Sequence, residues 1–84
     1  MMIAATSPVE SDLSLLIEAR EAASSGRAGR LRRATGLSQR EVARVVGVTA
    51  GCITRWENGE RRPTGDAAVE YGRVLREMAE GLVR

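Results

Sequence analysis

Residues 37–59 read LSQREVARVVGVTAGCITRWENG, and this pattern predicts two short helices joined by a turn. Ser38 followed by Glu41 is a capping box, in which each residue bonds the backbone of the other at a helix start. This box opens a first helix over residues 39–46. Gly47 ends that helix, because glycine readily adopts the left-handed conformation that follows a helix C-terminus.

Thr49 is the predicted N-cap of the second helix, which covers residues 50–58. Ile53 and Trp56 lie three positions apart, so both face the interior, and Trp56 is assigned to the core rather than to stacking on a nucleobase. Two short helices joined at one glycine cross at a steep angle, which lets the second helix project from the surface. Residues 38–59 therefore form the core of a predicted helix-turn-helix.

Three further helices are predicted around this pair. The first runs from about residue 8 to 24, with Ser7 as its N-cap and inward-facing Leu13, Leu16 and Ile17. These three apolar residues are consistent with either a core face or a dimer surface. The second helix covers residues 27–35, and a long last helix runs from the cap at Thr64 to about residue 80.

The composition agrees with a small helical protein. The chain has 84 residues, which is enough for one domain, and 43% of them are apolar. The apolar set is almost entirely aliphatic, with no Phe and with Trp56 and Tyr71 as the only aromatic residues. No segment reads as a strand. We therefore predict an all-α fold, a compact five-helix single domain over residues 1–84, with residues 1–7 flexible.

Charge is distributed unevenly along the chain. All 13 basic residues are arginine. Residues 25–62 carry nine of them against three acidic residues, a net charge of +6, whereas residues 1–24 have a net charge of −3 and residues 63–84 one of −1. A basic centre between acidic ends points to a polyanionic partner for the middle segment. The alternative at this stage is a charged face that only meets solvent.

The sequence lacks the residues that several functional classes of protein require. The chain has no His and a single cysteine, Cys52, so it offers neither a metal-ligand set nor an internal disulfide. It has no glycine-rich phosphate loop, and we predict no enzymatic activity, no cofactor and no metal. Without a run of 18 apolar residues or a signal peptide, we expect no membrane association and a cytoplasmic location.

Residues 27–63 strongly resemble the lambda-repressor-like, Cro and Xre-type family of bacterial and phage regulators. The residues that carry the resemblance in register are Leu31-Arg32, Gly36-Leu37-Ser38-Gln39, Val42-Ala43, Gly47-Val48, Ile53 and Trp56-Glu57-Asn58-Gly59. The resemblance implies a sequence-specific transcription regulator, a Cro-like or Xre-like repressor that reads the major groove of double-stranded DNA with the helix at 49–58. It also implies a homodimer on a palindromic operator.

The resemblance assigns roles to individual positions. The base-facing residues would be Thr49, Ala50, Gly51 and Arg55. The DNA phosphate contacts would be Gln39, Arg40, Thr54, Asn58, Arg61 and Arg62. Arg32 and Glu57 match a family pair that forms a buried ion pair. Arg55 is the only long donor among the base-facing residues, so we expect few direct base contacts and a dependence on DNA shape.

Two questions about partners remain open at this stage: which surface forms a dimer, and whether a second protein binds. The last helix carries a longer apolar stripe than a small domain needs, which predicts a dimer surface formed by Tyr71, Val74, Leu75, Met78 and Leu82. The competing function is an antitoxin-type or protein-interaction regulator whose flanking helices bind a protein partner. Such a protein can carry the same DNA-binding segment.

Overall fold

The computed structural model describes residues 11–82, and this part of the chain forms five α-helices and no strand. The helices are α1 at Asp12–Ser25, α2 at Arg27–Thr35, α3 at Gln39–Val46, α4 at Ala50–Glu57 and α5 at Gly65–Leu82. The predicted all-α, five-helix architecture is therefore confirmed, with α3 and α4 as the central pair. The expectation of a flexible segment at 1–7 lies outside the described residues.

The central pair has the predicted caps. The Ser38 hydroxyl accepts from the Glu41 backbone N–H at 3.0 Å, and the Glu41 carboxylate accepts from the Ser38 backbone N–H at 2.8 Å. Gly47 has φ +92°, a left-handed conformation that lets the chain turn between α3 and α4. The Thr49 hydroxyl accepts from the backbone N–H of Cys52 at 3.1 Å. Local sequence therefore fixes both ends of the turn.

The start and the inward face of α1 differ from the prediction. Ser11 has extended backbone and its hydroxyl accepts from the backbone N–H of Ser14 at 3.1 Å, so α1 begins at Asp12 and not near residue 8. The proposed cap Ser7 lies outside the described residues. Leu13 and Ile17 are 67% and 57% exposed. They belong to a surface face of α1 and not to the core.

The buried face of α1 is built mainly from alanine. Its residues are Leu15, Ala19, Ala22 and Ala23, each nearly inaccessible to solvent. This stripe has the same helical spacing as the one containing Leu13 and Ile17, so periodicity does not choose between them. Small side chains let two helix backbones approach closely, and the close approach of α5 selects the alanine face.

Helix α5 supplies the largest share of the core. Tyr71, Val74, Leu75 and Met78 are all buried against the other helices, whereas Leu82 is 43% exposed. The predicted dimer surface is therefore wrong for these four residues, because a domain with so few large side chains uses the whole stripe to cover its own core. The rings of Tyr71 and Trp56 lie 4.6 Å apart between centroids and join α5 to α4.

The α1–α5 contact depends on Gly72. A Cβ atom at this position would lie 2.2 Å from the carbonyl oxygen of Leu15, far inside van der Waals contact. An ion pair between Glu18 and Arg76 joins the same two helices further along. None of the helices in residues 11–82 is both long enough and apolar enough to cross a membrane.

We predict that Gly72→Ala destabilises the protein by about 1–3 kcal/mol or more, because the new methyl group overlaps the main chain of Leu15 and forces α1 and α5 apart. Thermal or urea unfolding followed by circular dichroism measures the change. Gly81→Ala is the control, since a Cβ there meets nothing within 4 Å; it should leave stability unchanged or raise it by up to about 1 kcal/mol. Equal stability of the two variants would contradict this close packing.

Candidate nucleic-acid interface

Helix α4 has one buried face and one exposed face. Ile53 and Trp56 are buried in the core, as predicted. Thr49, Gly51 and Arg55 are exposed on the other side. Ala50, also expected to face DNA, is half-buried and packs partly against the core. The structure thus places three of the four predicted base-facing residues on one open surface.

Gly51 has no side chain, so the exposed face of α4 has a depression at this position. Its backbone has no left-handed φ, so nothing in the fold requires glycine there. A Cβ would lie 3.9 Å from the Thr49 hydroxyl and 4.0 Å from an Nη atom of Arg55, which is ordinary contact distance. The guanidinium of Arg55 therefore extends beside a gap in the side-chain layer of α4.

The exposed helix is held by a buried ion pair between α2 and the end of α4. Arg32 Nε lies 2.6 Å from one Glu57 carboxylate oxygen, and Arg32 Nη2 lies 3.0 Å from the other. The remaining Arg32 nitrogen donates to the backbone carbonyl of Leu37 at 2.9 Å. The side chains of Arg32 and Glu57 are only 13% and 6% exposed. The structure therefore pairs the two residues that the resemblance matched.

Gln39 and Thr54 extend this pair into the junction of α3 and α4. The Gln39 amide donates to Glu57 at 3.0 Å, and its carbonyl oxygen accepts from the Thr54 hydroxyl at 2.8 Å. The same Thr54 hydroxyl lies 3.0 Å from the Ala50 carbonyl, so its one hydrogen is shared between two acceptors. Both side chains were expected to contact phosphates, and the structure shows them bonded to each other.

The charge state of Glu57 follows from these contacts. Burial alone raises the pKa of the Glu57 carboxyl, but the hydrogen bonds from Arg32 and Gln39, together with the Arg32 charge, outweigh it and hold the pKa below its ordinary value of 4.5. Burial also raises the pKa of the Tyr71 hydroxyl, and the nearby Glu57 charge adds to this. Glu57 is therefore ionised and Tyr71 neutral at neutral pH.

Sequence reasoning missed the residue that makes room for the ion pair. Gly29 on α2 is buried, and a Cβ there would lie 3.3 Å from a Glu57 carboxylate oxygen. A glycine in the middle of a predicted helix is the available signal, since it costs helix stability without a local reason. Its position explains how α2 and α4 come close enough for a bidentate contact.

Exposed polar side chains surround the open face of α4. Arg40 lies in the first turn of α3, and Asn58 is the C-cap of α4. The loop that follows is tied to the helix, because the backbone N–H groups of Glu60 and Arg61 donate to the Arg55 carbonyl at 2.9 and 3.3 Å. Arg61 and Arg62 are exposed beyond it. The predicted phosphate contacts other than Gln39 and Thr54 are therefore all on the surface.

Two short helices joined by a turn, of which the second has an exposed face bordered by arginine, have the arrangement of a helix-turn-helix. Residues 29–79 match a family model described as helix-turn-helix, of the Xre and lambda-repressor type. The match covers more than half of the chain, so the protein belongs to this family of DNA-binding regulators, which is not a family of enzymes. Neither a curated protein nor a solved structure matches the chain.

We predict that acid destabilises the protein partly through Glu57. Because the folded-state pKa of Glu57 is depressed, its contribution is present above the unfolded value and is lost as the pH falls below about 4.5 and through the folded pKa. Glu57→Gln should lower the free energy of unfolding by about 3–5 kcal/mol at pH 7, because Arg32 loses its buried partner. The free energy of unfolding of this variant should also decrease less than that of the wild type as the pH falls into the acidic range.

Urea unfolding at a series of pH values between neutral and strongly acidic measures both effects. Glu60→Gln is the control, since Glu60 is an exposed loop carboxylate with the same charge. The ion-pair account fails if the two variants have equal stability at pH 7.

Proposed function

We propose that the protein is a sequence-specific double-stranded DNA-binding transcription regulator, a Cro-like or Xre-like repressor of phage or bacterial origin that acts in the cytoplasm. One observation carries this proposal. The face of α4 that holds Thr49, Gly51 and Arg55 is open, while the opposite face of the same helix is locked into the core. A helix anchored on one side and exposed on the other fits the major groove.

Base reading in this proposal depends mainly on Arg55. Its guanidinium can donate two hydrogen bonds to the O6 and N7 acceptors of guanine. Thr49 uses its oxygen as a helix cap, which leaves its hydroxyl hydrogen for one contact. Ala50 and Gly51 offer no polar group. Specificity therefore rests on one arginine together with sequence-dependent DNA shape.

The phosphate contacts would flank the groove on both sides. Arg40 lies at the start of α3 on one side, and Asn58, Arg61 and Arg62 follow α4 on the other. Because the Gln39 side chain is bonded to Glu57 and Thr54, we propose that Gln39 contacts phosphate through its backbone N–H. Its side chain and that of Thr54 then fix the angle between α3 and α4.

A homodimer on a palindromic operator completes the proposal. A dimer of this type places its two recognition helices about one DNA turn apart, roughly 34 Å, and so produces two symmetric half-sites. Sites selected by the protein from random duplex DNA would reveal that symmetry. Selected sites without paired half-sites would contradict the dimer.

A second candidate function is a regulator that also binds a protein partner. The exposed apolar pair Leu13 and Ile17 on α1 favours it, because large exposed apolar side chains on one helix face are typical of contact sites. Light scattering of the pure chain and of a Leu13→Ser/Ile17→Ser double variant separates the cases. A dimer in the absence of DNA that the double variant loses would assign this face to a second copy, whereas a wild-type monomer favours another protein as the partner.

We predict that Arg55→Ala weakens binding to the selected site by about 1–3 kcal/mol and removes the preference at one base position. Repeating the selection with the variant measures the preference, and fluorescence anisotropy measures the affinity. Arg73→Ala is the control, because it removes an arginine from α5. A uniform loss over all sequences would instead make Arg55 a phosphate contact.

We also predict opposite effects of Gly51→Ala on stability and on DNA binding. The free energy of unfolding should rise by about 0.5–1 kcal/mol, because alanine is the better helix former and the methyl group has room. Affinity for the selected site should fall, because that methyl group occupies the space through which DNA approaches α4. Gly81→Ala adds a methyl group outside the interface and should leave affinity unchanged. Unaltered affinity of Gly51→Ala would place DNA elsewhere.

A further inference from the structure

An open pocket of about 350 Å³ lies between the C-terminal half of α1 and the loop that follows α4. Three arginines line it, Arg20 from α1 and Arg61 and Arg62 from the loop. The loop that forms one side of the pocket follows α4 directly in the chain, and the backbone N–H of its Arg61 donates to the carbonyl of Arg55. The pocket therefore lies near the C-terminal end of α4.

Arg20 connects α1 to this loop. Its Nε donates to the backbone carbonyl of Pro63 at 2.9 Å, and Pro63 itself is fully buried. Within residues 11–82, the two Nη atoms of Arg20 and the side chains of Arg61 and Arg62 have no hydrogen-bonding partner. Arg20 is fixed by its bond to Pro63, and Arg61 and Arg62 are exposed along the same pocket, so all three have donors available to a ligand.

The charge of the pocket favours an anion. Glu21 is the one carboxylate among its lining residues, and Arg27 binds that carboxylate at 3.0 and 2.8 Å. The hydrogen bond from Arg27 lowers the pKa of Glu21, so this carboxylate is ionised and paired with Arg27 at neutral pH. The pocket is therefore lined by three guanidinium groups and one carboxylate that already has an arginine partner. Arginine donors in such a number suit the oxygens of a phosphate group.

We propose that this pocket binds a backbone phosphate of the DNA duplex, next to the groove that α4 reads. Helix α1 precedes the residues that match the family model, which begin at residue 29. Arg20 therefore extends the DNA interface onto a helix that the family match does not include. This inference rests on the proposed function, because it requires the loop after α4 to lie along DNA.

The test compares the salt dependence of DNA binding between the wild-type full chain and three variants of it. Fluorescence anisotropy with a short labelled duplex, between about 50 and 200 mM salt, gives the slope of log K against log salt. Arg20→Gln should reduce this slope by about 0.9 and weaken binding about fivefold near 0.15 M salt, as expected for one lost phosphate contact. Arg20→Lys keeps the charge and should retain most of the slope. Arg73→Gln removes the same charge from α5 and should change neither quantity by this much.

Circular dichroism confirms that each variant is folded. If Arg20→Gln fails to fold, the exposed double variant Arg61→Gln/Arg62→Gln tests the same pocket without altering the Pro63 contact, and its slope should fall at least as far. A wild-type slope in a folded Arg20→Gln variant overturns the inference and leaves the proposed function intact. A wild-type slope in the double variant overturns the inference and also removes Arg61 and Arg62 from the phosphate contacts of the proposed function. A wild-type chain that binds no duplex at all overturns the proposed function itself.

Discussion

The buried contact between Arg32 and Glu57 is the interaction on which the functional surface depends. Two Arg32 nitrogens donate to the two Glu57 oxygens, and the third donates to the backbone carbonyl of Leu37. Removing one partner of such a pair leaves a buried charge alone, which is far more costly than the pair itself is favourable. The pair joins α2 to α4, and Gln39 joins α3 to the same carboxylate. The contacts of Glu57 with Arg32 and Gln39 thereby fix the orientation of α4.

Packing sets the second constraint. With alanine covering the inner face of α1 and glycine at position 72, the α1 and α5 backbones approach until only hydrogen fits between them. This core is filled by the close approach of helix backbones and not by large side chains, since Trp56 and Tyr71 are its only aromatic residues. As a consequence, the apolar residues of α5 from Tyr71 to Met78 pack in the protein's own core. A surface for a second copy must then use other residues.

The exposed face of α4 carries few polar side chains, whereas several hydrogen bonds hold the helix in place. Most of the polar hydrogen bonds near α4 hold the helix in place, and Arg55 is the one long side chain on its open face. Because of this surface we propose a shape-dependent reading of DNA, in which bending and groove width are sensed through phosphates. The arginines of the loop after α4 and of α1 are the residues that we propose for these contacts.

The sequence by itself determined both ends of α3 and the start of α4, because the capping box at Ser38, the cap at Thr49 and the turn at Gly47 act through neighbouring backbone atoms. The predicted end of α4 at residue 58 is one residue too far, since Asn58 is the C-cap. It also determined which face of α4 is buried. Only the tertiary structure decided between the two apolar stripes of α1, because both have helical spacing and the approach of α5 at Gly72 selects one. The same holds for the burial of the α5 stripe, for the role of Gly29 and for the contact of Arg20 with Pro63, because each depends on residues distant in the chain.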